Sequence, residues 1–140
     1  MEVIIQIHDE MITHSCGTIE YQLSGKTHRV DGPAIIRPNG SKIWYCRGKL
    51  HRLDGPCMTN SGNEFWYKHG KLHRDEGPAI IWAEGDLEWW QDGKLHRLDG
   101  PAYEGADGHN EFHIRGHSAF NEAEFNDETW RKSILLKSIT

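Results

Sequence analysis

Long apolar runs are missing from this 140-residue chain. No stretch approaches the roughly 18 apolar residues that a membrane-spanning helix needs. The opening MEVIIQIHDE has an acid at Glu2 and no basic flank, so it does not read as a secretory signal peptide. Cysteine is scarce: Cys16, Cys46 and Cys57 form an odd set without metal-ligand spacing, and read as free thiols in a reducing cytoplasm. A G-x-S-x-G nucleophile elbow is absent, and no cysteine has a dedicated histidine partner. We therefore expect no enzyme, no cofactor and a cytoplasmic protein. Apolar residues make up only 36%, and the mean hydropathy is -0.72. Yet six Trp, four Tyr and four Phe are present, which a disordered chain rarely carries. Burial must be concentrated in a few large rings within a single domain, 1–140.

What the chain does have is a repeat. GKTHRVDGPA (25–34), GKLHRLDGPC (48–57), GKLHRDEGPA (70–79) and GKLHRLDGPA (93–102) align, and Gly116 opens a degenerate fifth copy. The unit glycines Gly25, Gly48, Gly70, Gly93 and Gly116 are separated by steps of 23, 22, 23 and 23 residues. Eight residues before each stands a further glycine: Gly17, Gly40, Gly62, Gly85 and Gly108. Four residues before each stands an aromatic: Tyr21, Trp44, Trp66, Trp89 and Phe112.

Two glycine turns per period imply two strands per period. Arg47-Gly48, His69-Gly70, Asp92-Gly93 and Arg115-Gly116 form one set of turns. Asn39-Gly40, Ser61-Gly62, Glu84-Gly85 and Asp107-Gly108 form the other. Both sets read as two-residue hairpin turns with positive φ at each central residue. The Gly-Pro after each His-Arg pair cannot sit in a regular ladder and marks a bulge or corner. The fold expected is mainly β: an open antiparallel up-and-down meander, or solenoid, of about five 22–23-residue two-stranded repeats over 15–117. An apolar N-terminal cap strand lies within 1–14, typified by EVIIQI (2–7). A short C-terminal helical cap occupies 118–140, N-capped by Asn121, with Phe120 and Phe125 as a hydrophobic staple and Asp127 able to restart the helix. No unit buries its ring alone, so neighbours must stack. At ~150–250 Å² per ring and ~25 cal/mol per Å², each contributes about 4–6 kcal/mol before entropy.

These units resemble MORN-type repeats, in particular the variant "NGK-HR-DGPA" class found in bacteriophages and large DNA viruses. The ending GHSAFNEAEF is similar to the "G-x-x-x-(S/T)-x-x-E-F" close of that class. The resemblance covers roughly four fifths of the chain. It implies stacked two-stranded units and a scaffolding, protein-binding or membrane-surface role, but names no partner.

The repeated box comprises His28, Arg29 and Asp31; His51, Arg52 and Asp54; His73, Arg74 and Glu76; His96, Arg97 and Asp99. It reads as structural, each arginine forking onto the carboxylate two residues on and tying the chain across the corner. His28, His51, His73 and His96 make a poor metal site, because rungs two strands apart are about 9–10 Å distant. His109, His113 and His117, at spacing four, gain no common face in a strand-turn region. Residues 25–60 carry seven basic and two acidic side chains, and residues 99–128 one basic and eight acidic. In a solenoid that asymmetry becomes axial and would permit head-to-tail self-association. The overall pI near 6.0 does not favour nucleic acid.

The expectation is a non-enzymatic binding module, a viral accessory protein that engages and modulates a host protein. Its contacts are sought among residues between the fixed positions: Arg37, Tyr67, Trp82, Trp90, Tyr103 and His113. The alternatives are a sequesterer of a phosphorylated nucleotide held by the Arg and His rows and, more weakly, a membrane-surface scaffold.

Overall fold

A computed structural model describes residues 9–137. The expected strand at 2–7 lies outside the described residues. The backbone forms one open antiparallel sheet whose strands follow chain order: Glu10–Thr13, Ile19–Leu23, Ile35–Ile36, Lys42–Ile43, Met58–Asn60, Asn63–Phe65, Ile80–Ile81, Leu87–Glu88, Tyr103–Glu104 and Asn110–Glu111. This is the expected mainly β meander. Its register aligns an apolar row across the middle strands. Ile35 faces Ile43, Ile43 faces Met58, Met58 faces Phe65, and Phe65 faces Ile80. Ile43 and Ile80 are buried.

The expected pair of strands per period is subdivided. Each long strand breaks at its aromatic residue, and the outer part pairs locally into a small ribbon. The ribbons are Tyr45–Cys46 with Lys49–Leu50, Tyr67–Lys68 with Lys71–Leu72, Trp90–Gln91 with Lys94–Leu95, and His113–Ile114 with His117–Ser118. Lys26–Thr27 folds back on the end of Ile19–Leu23 in the same way. The ribbon turns have the geometry read from sequence: Arg47, His69, Asp92 and Arg115 have φ near +50°, and their glycines are also positive.

The main-sheet turns differ from expectation. Only Ser61-Gly62 is a two-residue turn with both φ positive. At Gly40, Gly85 and Gly108 the glycine alone is left-handed, and its N–H closes onto the carbonyl three residues back. Arg37 bonds Ser41, Trp82 bonds Asp86, and Gly105 bonds His109, leaving three-residue loops. The one short step in the repeat, 22 residues, contains the one short turn.

The C-terminus folds into α1, Glu122–Asn126, and α2, Glu128–Leu136. Asn121 accepts the Glu124 N–H and Asp127 accepts the Trp130 N–H, so each helix has a side-chain N-cap. The staple does not form. Phe120 is 92% exposed, while Phe125 is buried with Ile114 and Ile134, flanked by Phe112, Trp130 and Leu135. The last ring of the column recruits Phe125, 5.0 Å away centroid to centroid, and leaves Phe120 unpartnered by it. The cap therefore closes the repeat stack with its own apolar cluster. Phe125→Ala is expected to cost about 3–5 kcal/mol in chemical denaturation, as buried Phe truncations do. Phe120→Ser should stay within ~0.5 kcal/mol of wild type.

Candidate functional site

The repeated residues make one local machine, copied along the stack. At the aromatic the strand changes partner. The Trp44 N–H bonds the Cys57 carbonyl of the main sheet, while the Trp44 carbonyl accepts from His51 of its own ribbon. Tyr21, Trp66 and Trp89 do the same with Ala34 and His28, Ala79 and His73, and Ala102 and His96. The residue after each proline thus lies directly beside the ring. Ala34, Cys57, Ala79 and Ala102 are all fully buried, which is why the position is small. Burial also pushes the Cys57 thiol up to about 11, leaving it inert at neutral pH.

The arginine covers the ring. Arg29, Arg52, Arg74 and Arg97 stack on Tyr21, Trp44, Trp66 and Trp89 at 3.9–4.0 Å from guanidinium carbon to ring centroid. Each Nη1 donates to the carbonyl of the corner proline: Pro33, Pro56, Pro78 or Pro101. In three units Nε donates to the box aspartate, at 3.0 Å to Asp31 and 2.9 Å to Asp54 and Asp99. The expected fork on one carboxylate is therefore split between an aspartate, a backbone carbonyl and a ring. The guanidinium also fills the space beside Gly32, Gly55, Gly77 and Gly100, where a Cβ would meet it at 2.7–3.2 Å.

The third unit departs from this rule. Glu76 stands in the aspartate position, is exposed, and does not pair with Arg74 among the described residues. Asp75 turns instead to Lys68 and to His73 Nε2. Gly77 alone among the corner glycines has positive φ, at 98°.

The histidines join neighbouring units. His28, His51, His73 and His96 Nδ1 accept the backbone N–H of Arg47, His69, Asp92 and Arg115 at 2.9–3.1 Å. Each donor is the left-handed turn residue of the next unit. An accepting Nδ1 carries no proton, so these rings are neutral with the proton on Nε2. The Asp92 carboxylate also lies 3.2 Å from His73 Nδ1, but the Asp92 N–H occupies that nitrogen as in the sibling units.

Three grooves of about 470–670 Å³ run between successive corners. Their floors include Trp44, Trp66 and Trp89, and their rims carry the corner tips. Val30 and Leu53 project from those tips at 86% and 74% exposure, and Leu98 is 45% exposed. This row was not singled out from the sequence; the signal was an apolar residue beside Asp inside an otherwise polar box.

Of the residues sought as contacts, Arg37 is exposed. The other five are partly buried, and four have engaged polar heads. Trp82 and Trp90 both donate their indole N–H to Glu88. The Tyr103 hydroxyl donates to Asp86, a bond that pushes the phenol up to about 12. His113 and His109 bracket Glu111. Tyr67 sits at the unit joint, its carbonyl accepting from Arg52 and from the Cys57 thiol. These residues are spread over both the sheet and the ribbons rather than gathered in one site. No protein-family model and no curated protein matches the chain.

Two outcomes follow from this geometry. Arg52→Ala removes a ring stack, a salt bridge and a carbonyl bond at once. It is expected to cost about 1–3 kcal/mol in urea melts, with Asp54→Ala costing clearly less. Burial holds His51 and His96 below the usual histidine range, with His69 and Arg115, respectively, adding like-charge repulsion. Their contribution is complete above the unfolded value of about 6.5 and is lost as pH falls through the folded values. Tm should drop as pH falls below about 6.5, ahead of the carboxylates that Arg52 and Arg97 hold low, Asp54 and Asp99. His51→Asn, which keeps an acceptor that does not titrate there, should flatten this slope.

Proposed function

We propose that the chain is a non-enzymatic protein-binding module whose contact surface is the row of corner tips and the grooves between them. One observation supports this reading above others. The series of tip and ring continues to a fourth place, Leu98 with Phe112, and there the chain's own helices are seated. Phe125 packs on Phe112, and Arg131 Nη2 donates to the Leu98 carbonyl at 3.0 Å. At the three preceding places Arg52, Arg74 and Arg97 cover the rings where Phe125 covers Phe112, and we read the grooves beside them as the places that accept a partner's helix. The partner expected is a helical segment presenting an aromatic or aliphatic residue to the groove. The likeness of the repeats to those of bacteriophages and large DNA viruses motivates a host protein as that partner. Sequestration of a phosphorylated nucleotide is the weaker reading, because three of the four stacked arginines already hold an aspartate. Among the described residues, no helix is long and apolar enough to cross a membrane.

The test is affinity capture from host lysate with wild type and a Val30→Asp, Leu53→Asp double variant. The variant should melt like wild type, as exposed substitutions do, and bind any captured partner at least tenfold more weakly. Undiminished capture of the same partner would place the contact surface elsewhere.

A further inference from the structure

The middle groove holds the one box arginine that lacks its carboxylate among the described residues. Arg74 is fixed like its siblings, stacked 4.0 Å over Trp66 with Nη1 on the Pro78 carbonyl at 3.0 Å. In Arg29, Arg52 and Arg97 the Nε–H is occupied by an aspartate oxygen at 2.9–3.0 Å. At Arg74 that Nε–H has no such partner among the described residues, and the side chain lines a groove of about 560 Å³. Neither nearby acid of the corner pairs with it among the described residues: Asp75 is held by Lys68 and His73, and Glu76 is exposed.

We propose that the Arg74 edge is a binding site for a carboxylate supplied from outside the chain. The incoming oxygen takes the place that Asp31, Asp54 and Asp99 fill in the other units. The guanidinium is already ordered by the ring and the proline carbonyl, so little side-chain entropy is lost on binding. The neighbourhood selects a single negative charge. Arg52 and Lys68 line the same groove, but Asp54, Asp75 and Glu76 offset them. A dianionic phosphate meets three acids there, whereas a carboxylate meets the pattern already built three times. If the protein-binding reading holds, the carboxylate belongs to an Asp or Glu of the docked segment. Only the identity of that carrier rests on the reading.

The experiment needs no partner. The side-chain Nε–H resonances of Arg29, Arg52, Arg74 and Arg97 are followed by NMR while sodium acetate, sodium chloride or inorganic phosphate is added at matched ionic strength. The Arg74 resonance should shift saturably with acetate, several-fold more tightly than with chloride or phosphate, while the other three stay in place. Glu76→Asp restores the aspartate that the sibling units carry at this position; it should move the Arg74 resonance to its acetate-bound position and abolish the titration. The proposal is overturned by equal shifts in all four arginines, by equal response to chloride, or by an unchanged titration in Glu76→Asp. A response to phosphate stronger than that to acetate also overturns it, in favour of a phosphate site. Loss of host-protein capture with an intact acetate titration would sink the protein-partner reading and leave this site standing.

Discussion

The structure depends on polar groups that each unit exposes and only its neighbour satisfies. At the joint between the first two units, Arg29 N–H donates to the Tyr45 carbonyl, Gly48 N–H to the Thr27 carbonyl, and Arg47 N–H to His28 Nδ1. The same bonds recur at Arg52, Gly70 and His69, at Arg74, Gly93 and Asp92, and at Arg97, Gly116 and Arg115. Without the neighbour, each ribbon is a two-stranded hairpin of marginal stability carrying a non-glycine residue at positive φ. With it, the strained turn is the donor that locks the stack. The main sheet adds the apolar row from Ile35 to Ile80. The unit therefore repeats because it cannot stand alone.

The box residues are consumed by this architecture. Arginine covers the ring, aspartate and proline carbonyl hold the arginine, and histidine reaches the next turn. What remains variable is the tip, occupied by Val30, Leu53, Asp75 and Leu98, and the groove behind it. Function is best sought where the rule lapses. The third unit has Asp-Glu in place of Leu-Asp, one guanidinium edge without its aspartate, and a corner glycine, Gly77, at positive φ. The last unit loses its box arginine, and Phe125 takes over the ring.

Much of this could be read from residue spacing. The glycine and aromatic offsets located every turn and the ring column, and Asn121 and Asp127 announced both helix starts. The Arg–Asp tie followed from spacing within the box. The histidine acceptor role did not, because its donor lies 18 or 19 residues away in a turn whose N–H direction depends on left-handed backbone. Loop length was misjudged at Asn39-Gly40 because a left-handed glycine closes a three-residue loop as well as a two-residue one. Phe120 was misassigned because spacing alone cannot tell which of two rings the neighbouring Phe112 captures. The exposed tips were passed over since apolar residues in a low-hydropathy chain read first as core.

The most direct measurement is amide hydrogen exchange at neutral pH, resolved to Arg47, His69, Asp92 and Arg115. These residues sit at the tips of short hairpins and, without neighbours, would exchange at nearly the rate of an unfolded peptide. The account predicts that all four are protected to the level of the buried strands, because each N–H is held by the histidine of the preceding unit. Free exchange at these positions, with Ile43 and Ile80 still protected, would contradict it and show that the units are held together by the main sheet alone.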